Sequence, residues 1–302
     1  MSLKVERLPI PPLALGEGPH WRRESESLYL VDIDRRKIIR YHSESETYYS
    51  IQLDVPTIGF VTPVSNSKDE FLIGAGTNLY IVKWDGVSDT PESMKILQTL
   101  EGEPNTNRIN DGKCDPSGRA WFGTLWAKWK IGGIERKGSF FSYSKEKGTT
   151  KHFTDIGISN GLDWDIGKNK MYYIDSLNYT IDVLDYNVDG TIGNRRVVFD
   201  LRKNNLPFYP DGMTIDTDGN LWVALYTGSR VIQINPESGN LLAQVQIPTS
   251  KVTSVTWGGK NLDELFITSA GAGTPDCGPN AGLTFRVTGL NAHGLPMNEF
   301  KL

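Results

Sequence analysis

Short hydrophobic runs separated by turn signals dominate the chain. The runs are rich in Tyr, Ile, Val, Phe and Trp, and dipeptides typical of tight turns stand between them, as at Asp85-Gly86, Asp189-Gly190 and Ser238-Gly239. This pattern predicts β-strands joined by hairpins. Because no segment of a dozen residues keeps a helical period, the sequence predicts an all-β fold.

The strand runs form six groups of similar length. They begin near Glu17, Phe60, Asn110, Asn160, Asp211 and Ser254, at spacings of 43, 50, 50, 51 and 43 residues. The groups also agree in register, since Asp32 lies 15 residues after Glu17 and Asp175 lies 15 residues after Asn160. Repeats of this length predict a six-bladed β-propeller with four-stranded blades, formed by residues 1–302 as a single domain.

The two ends of the chain are expected to meet in the last blade. That blade takes the runs 252–257, 265–269 and 283–288, together with a C-terminal piece that ends at Leu302. An N-terminal strand within 5–10 would join these runs. The added strand would close the ring and remove exposed sheet edges.

Four of the groups begin with an oxygen-bearing side chain beside a glycine. The segments are Gly16-Glu17-Gly18-Pro19, Asn110-Asp111-Gly112-Lys113, Ser159-Asn160-Gly161-Leu162 and Pro210-Asp211-Gly212-Met213. One such dipeptide alone is typical of a turn, but equivalent positions of a propeller meet at its axis. Converging oxygens favour a hard divalent cation, Ca²⁺ first and then Mg²⁺ or Mn²⁺, with carboxylate-bound Zn²⁺ as a further alternative. The sequence therefore predicts a central metal site.

Two neighbouring features suit a ligand site near that metal. Arg108 precedes Asn110 by two residues, so both side chains would face the same side of an extended segment. The Arg108 guanidinium could bind substrate oxygens in fixed geometry, or pair with a surface acid. The stretch 125–137 contains Trp126 and Trp129 and is longer than a hairpin needs. It would serve either as a lid over the site or as a packing loop between blades.

Composition and charge exclude several classes of protein. The chain has 32 basic and 36 acidic residues, a formal net charge of −4, and no cluster of Lys and Arg that would bind nucleic acid. The N-terminus carries charges where a signal peptide needs an apolar core, and no run is apolar enough to span a bilayer. The two cysteines, Cys114 and Cys277, are too few for a disulfide framework. We expect a cytoplasmic monomer that binds a small molecule and neither nucleic acid nor membrane.

Long motifs in the right order give the chain a family resemblance over nearly its whole length. They include Asn107-Arg108-Ile109-Asn110-Asp111-Gly112-Lys113, Ile158-Ser159-Asn160-Gly161-Leu162 and Met171-Tyr172-Tyr173-Ile174-Asp175-Ser176. The chain resembles the SMP-30/gluconolactonase/LRE family, and within it the regucalcin and luciferin-regenerating-enzyme branch. The resemblance implies a six-bladed propeller with one divalent cation in its channel. It further implies that Glu17, Asn160 and Asp211 bind the metal, and that Arg108 and Asn110 contact substrate.

One position departs from the pattern of the family. In the regucalcin-like members, a glutamate of the following loop also contacts substrate. Counted from Asn110 without a gap, that position is Lys128 here. Replacing an anion by a cation changes the electrostatics and the hydrogen-bonding role together. Lys128 is expected to contact the substrate, and its charge weakens the case for gluconolactone as that substrate.

The leading functional hypothesis is a metal-dependent hydrolase of lactones or related cyclic esters. The cation would polarise the ester carbonyl, and Asp211 would accept a proton from the attacking water. One alternative is a calcium-binding regulatory protein with little or no turnover, which the Lys128 change motivates. Another, taken from the insect branch of the resemblance, is luciferin-regenerating-enzyme-like action on a heterocyclic aromatic substrate.

Overall fold

The fold is a six-bladed propeller of antiparallel sheets. A computed structural model describes residues 2–127, 135–271 and 278–302, and within these ranges the chain forms six four-stranded sheets. The strands are β1 (Lys4–Arg7), β2 (Gly16–Arg22), β3 (Ser27–Asp32), β4 (Lys37–His42), β5 (Thr47–Gln52), β6 (Phe60–Pro63), β7 (Glu70–Ala75), β8 (Asn78–Lys83), β9 (Ser93–Thr99), β10 (Asn107–Cys114), β11 (Ala120–Trp126), β12 (Gly138–Ser144), β13 (Gly148–Ile156), β14 (Ser159–Asp165), β15 (Lys170–Asp175), β16 (Thr180–Tyr186), β17 (Ile192–Asp200), β18 (Tyr209–Ile215), β19 (Leu221–Tyr226), β20 (Arg230–Asn235), β21 (Asn240–Gln246), β22 (Val252–Gly258), β23 (Glu264–Ser269) and β24 (Phe285–Thr288). In the described ranges the helical elements are short 3₁₀ turns between strands. None of them is long and apolar enough to cross a membrane.

Blades 1 to 5 are built from consecutive strands, and blade 6 closes the ring. The first five are β2–β5, β6–β9, β10–β13, β14–β17 and β18–β21, and the sixth has the order β22-β23-β24-β1. In blade 6 Val5 stands opposite Val287 in an antiparallel pair. The prediction that an N-terminal strand completes the last blade is therefore confirmed.

Hydrophobic contacts between neighbouring blades form the core. Six apolar clusters are found among the described residues, one at each of the six blade interfaces. Between blades 3 and 4, for example, the Trp121 ring packs against Trp164 and Tyr186 at centroid distances of 6.3 and 6.2 Å. Because both faces of each sheet pack on another blade, the inner three strands are largely apolar on both sides.

An aspartate–tryptophan hydrogen bond recurs in two blades and confirms their common register. Trp121 Nε1 donates to Asp115 Oδ2 at 2.9 Å, and Trp222 Nε1 donates to Asp216 Oδ2 at the same distance. Asp115 is buried completely and Asp216 almost completely. Each bond ties the end of an innermost strand to the strand beside it.

The prediction that the C-terminal piece belongs to blade 6 is wrong, because that blade consists of β22, β23, β24 and β1. The piece lies across the ends of the innermost strands instead, where Thr217 N–H donates to His293 O at 2.8 Å and Phe300 N–H donates to Pro63 O at 2.9 Å. Met297 Sδ accepts from the backbone N–H of Trp21 and from Thr256 Oγ1. We call residues 293–302 the C-terminal strap. The strap pairs with the sheets only at isolated bridges, Gly294 with Asp216 and Phe300 with Val64, and Pro296 between them has no N–H to donate.

We expect the strap to contribute strongly to the stability of the whole ring. Phe300 is fully buried between blades 2 and 3, with its ring 6.1 Å from that of Tyr143. Phe300→Ala is expected to lower the free energy of unfolding by about 3–5 kcal/mol, because it leaves a cavity. Urea denaturation measures the change, and Leu302→Ala, at an exposed position, is the control. A loss no larger than that of the control would contradict a structural role for the strap.

Candidate functional site

β-Bulges interrupt the innermost strands next to the predicted site residues. In β10 the register shifts between Ile109 and Asp111, so that Asn110 is an extra residue without a partner in β11. Comparable shifts follow Glu17 in β2 and enclose Asn160 in β14 and Asp211 in β18. A bulge breaks the alternation of side chains and re-aims them, which is a common device beside active sites.

The glycines of the repeated motif allow close packing at the axis. A Cβ atom on Gly212 would stand 2.0 Å from Ser254 Oγ, and one on Gly161 would stand 2.7 Å from the backbone oxygen of Asp211. Both contacts are far below van der Waals distance, so a side chain at either position would push neighbouring blades apart. The bounds of β2, β10, β14 and β18 show that the four oxygen-plus-glycine segments lie within innermost strands and are not turns.

One cavity of about 410 Å³ collects five of the six predicted site residues. Its walls include Glu17, Arg108, Asn110, Asn160 and Asp211. All five side chains are buried to more than nine-tenths, although they come from four different blades. The sixth, Lys128, lies outside the described residues, and so does Trp129 of the predicted lid.

A chain of hydrogen bonds fixes the amides on one side of the cavity. Arg108 Nη1 donates to Asn110 Oδ1 at 2.7 Å, and Asn110 Nδ2 donates to Asn160 Oδ1 at 3.0 Å. Asn160 Nδ2 donates to Ser176 Oγ at 2.7 Å, and Ser176 Oγ donates to the backbone oxygen of Pro210 at 2.6 Å. The side-chain oxygen and the side-chain nitrogen of Asn110 are thus both hydrogen-bonded to protein groups. The sequence had not singled out Ser176 as a site residue, although its place directly after the repeated Asp175 was a usable signal.

Two carboxylates, Glu17 and Asp211, line the same cavity. Glu17 and Asp211 are both buried, and Asp211 Oδ1 has no hydrogen-bond partner in the described part of the chain. Burial raises the pKa of Glu17 well above its usual range, and the charges of Asp211 and Asp111 raise it further. Burial also raises the pKa of Asp211, with a second contribution from Asp111. The charge of Arg108 opposes these effects on the pKa of Glu17, but it is the weakest of the contributions.

Asp111 is a third buried acid, and the sequence repeats had given it no role. Burial raises its pKa to about 6, and Lys113 opposes that effect. Lys113 Nζ is itself bound to Asp163 Oδ2 at 2.8 Å and to the backbone oxygen of Met213 at 2.9 Å. The matching position of the next repeat is Gly161, so the repeat pattern carried no sign of an acid here.

The arrangement fits a hard divalent cation. In the described ranges no group of three or more His, Cys, Asp or Glu side chains is close enough to hold a metal. The candidate set differs from such a group, because it has two carboxylates, Glu17 and Asp211, and one amide oxygen, Asn160 Oδ1. That oxygen accepts one hydrogen bond and keeps a second lone pair. All-oxygen sets of this kind suit Ca²⁺, and a cation would relieve the repulsion between the two buried acids.

Arg108 is a buried positive group that lines the same cavity as these acids, and Lys251 lines it too. Burial lowers its pKa to about 10, and the charges of Asp34 and Glu17 oppose the shift. Among its three nitrogens, Nη1 makes the hydrogen bonds to Asn110 Oδ1 and to the backbone oxygen of Ile109. A single guanidinium that is engaged in this way offsets only part of the charge of the buried acids.

The end of the predicted lid is fixed to the rim of the site. Arg136 Nη1 donates to Asp175 Oδ2 at 2.8 Å, and its Nη2 donates to Asn178 Oδ1 at 2.8 Å. Lys137 Nζ lies 5.0 Å from the centre of the Trp126 ring at the other end of the loop. The described residues on either side of 128–134 therefore make defined contacts, while the role of the stretch 125–137 as a lid stays a prediction.

Comparisons with known proteins agree with the fold and extend over the whole chain. Residues 15–271 match the family model of the SMP-30/Gluconolactonase/LRE-like region. Regucalcin of Gallus gallus is 37% identical over 99% of each chain. Among solved structures, a luciferin-regenerating enzyme has a TM-score of 0.95 and 37% identity over 100% of both chains. A calcium-binding protein, regucalcin, of Agrobacterium tumefaciens has a TM-score of 0.84 at 24% identity, over 98% of this chain and 97% of its own, and shares the fold. The chain therefore belongs to the SMP-30/gluconolactonase/LRE-like family.

Proposed function

We propose that the protein is a metal-dependent hydrolase of lactones or related cyclic esters. The observation that carries the proposal is the pair of buried carboxylates, Glu17 and Asp211, with Asn160 beside them on the floor of an open cavity. Buried acids whose charge is only partly compensated are costly, so this pair favours a ligand that supplies positive charge. The family of this chain includes gluconolactonases by name.

Glu17, Asn160 and Asp211 would hold the cation, with Ca²⁺ as the first choice and Mg²⁺, Mn²⁺ or Zn²⁺ as alternatives. When bound, it supplies a Lewis acid for the ester carbonyl and compensates the two acids. The donor set is the support for this assignment, since it contains oxygens from two acids and one amide.

The remaining chemistry falls to side chains of the cavity. A water attacks the carbonyl carbon, and Asp211 Oδ1, which has no other partner in the described residues, accepts the proton of that water. The carbon–oxygen bond of the ring then breaks, and the proton passes to the leaving oxygen to give a hydroxy acid. Arg108, held by Asn110 at 2.7 Å, would orient the substrate through its remaining donors.

A second candidate is action on a heterocyclic aromatic substrate. Tyr209 and Tyr226 both line the cavity, and the Tyr209 ring lies 4.7 Å from that of Tyr179. Flat aromatic walls favour a flat ligand. A calcium-binding protein without turnover remains the third hypothesis, and it predicts tight metal binding with no hydrolysis of any lactone.

Calcium is expected to stabilise the wild-type protein and to lose this effect when Glu17 is neutralised. A ligand that binds only the native state raises the free energy of unfolding by about 2.7 kcal/mol when its concentration is a hundredfold above its dissociation constant. This corresponds to roughly 5 °C in melting temperature. Glu17→Gln removes one of two repelling buried acids, so the metal-free variant should be at least as stable as wild type. Differential scanning calorimetry with Ca²⁺ and then with a chelator measures both effects. Glu237→Gln, at an exposed site, is the control that keeps the calcium shift; an equal shift in Glu17→Gln would argue against this metal site.

Asp211→Asn is expected to abolish most of the hydrolytic activity. The change keeps the shape of the side chain but removes its ability to take a proton, so kcat on a lactone should fall by about 10²- to 10⁴-fold. A pH-stat assay with Ca²⁺ measures the rate, and a calcium titration of the same variant separates lost metal from lost proton transfer. Asp218→Asn, an exposed aspartate of the same blade, is the matched control. If Asp211→Asn kept a rate within a few fold of wild type, the assigned role of this residue would be wrong.

A further inference from the structure

A second ring of side chains lies in the cavity, one step away from the metal-binding set. Its members stand two residues before the four site residues of the repeats, and they are Leu15, Arg108, Ile158 and Tyr209. All four line the cavity. The four members occupy equivalent positions of the repeat, so the ring follows from the repeat. Only Arg108 among them carries a charge.

Further apolar side chains extend the wall that this ring begins. Leu125 and Leu177 line the same cavity, and Leu125 forms an antiparallel bridge with Ile158. Leu15, Ile158 and Leu177 are only half-buried, so each keeps surface that a ligand can cover. They come from blades 1 and 4, which places apolar surface on two sides of the cavity.

Three polar side chains beside this wall, Asn110, Asn160 and Ser176, are already bonded to one another, whereas Asp34 and Lys251 also line the cavity. Asn110 uses its carbonyl for Arg108 and its amide for Asn160 and Ser159, and Ser176 both accepts from Asn160 and donates to Pro210. When a substrate with many hydroxyls binds here, several of its own hydroxyls would be left without a hydrogen-bond partner. Each such loss lowers affinity by roughly fivefold or more.

We infer that the substrate is a lactone whose ring carries one apolar alkyl substituent, and not a polyhydroxylated sugar lactone. This inference rests on the proposed lactone hydrolysis. The ester group lies at the acids of the floor and at Arg108, while the substituent lies against Leu15, Ile158 and Leu177. Burial of each methylene group raises affinity by about fourfold until the wall is covered.

The test compares lactones that share the same ring. With Ca²⁺ present, kcat/KM of the wild type should be at least tenfold higher for a δ-lactone with a propyl group than for unsubstituted δ-valerolactone, and about 60-fold higher when all three carbons of the substituent are buried. It should be lowest for glucono-δ-lactone. Ile158→Thr and Leu177→Asn are expected to reduce the advantage of the propyl group, measured as the ratio of the two kcat/KM values, to about threefold or less. Ile166→Asn, at an exposed site outside the cavity, is the matched control and should keep the full advantage.

The outcomes separate this inference from the proposed function. A kcat/KM for glucono-δ-lactone equal to or above that for the propyl lactone would overturn the inference and leave lactone hydrolysis in place. Hydrolysis of none of these lactones would overturn the proposed function. In that case calorimetry compares binding of a propyl δ-lactam and of gluconolactam to the calcium-loaded protein. Tighter binding of the propyl compound supports the apolar subsite, and equal or undetectable binding of the two overturns it.

Discussion

Close approach of neighbouring innermost strands at the axis is the constraint on which the rest of the structure depends. Gly161 and Gly212 have no room for a Cβ atom, because the next strand occupies that space. The bulge beside each glycine turns the preceding side chain into the channel. Packing of the blades and convergence of the site oxygens are therefore two results of one local arrangement. A larger residue at these positions would alter the separation of the blades and the geometry of the site together.

The polar groups of the cavity divide into two sets with different tasks. Asn110, Asn160 and Ser176 are joined by hydrogen bonds into one chain that spans blades 3, 4 and 5, and this chain fixes the orientation of each amide. Glu17 and Asp211 lack comparable support, and their pKa values are raised by burial. The first set gives the floor its rigidity, whereas the second holds acids whose charge Arg108 offsets only in part. Hydrogen bonds that fix the orientation of site residues are what a preorganised site requires.

Most of the fold could be predicted from the sequence, because the repeat encodes it. The spacing from Glu17 to Asn160 and Asp211 gave the number of blades, and equivalent positions then had to meet at one axis. Features outside the repeat could not be predicted in this way. Asp111 stands where other repeats have glycine, and the C-terminal strap forms no strand, so neither has a counterpart to compare. The cavity wall was missed for another reason, since an apolar residue such as Ile158 is equally typical of a core.

Blade 6 contains strands from both ends of the chain, with β1 paired to β24. In a linear array of repeats, a terminal unit contacts only one neighbour and can detach first. This ring has no terminal unit, because every blade packs on two others and the first strand of the chain is held by its last blade. Loss of any one blade exposes apolar surface on two sides. The propeller should therefore unfold as one cooperative unit with slow kinetics, and the geometry of its axis should persist until the whole ring opens.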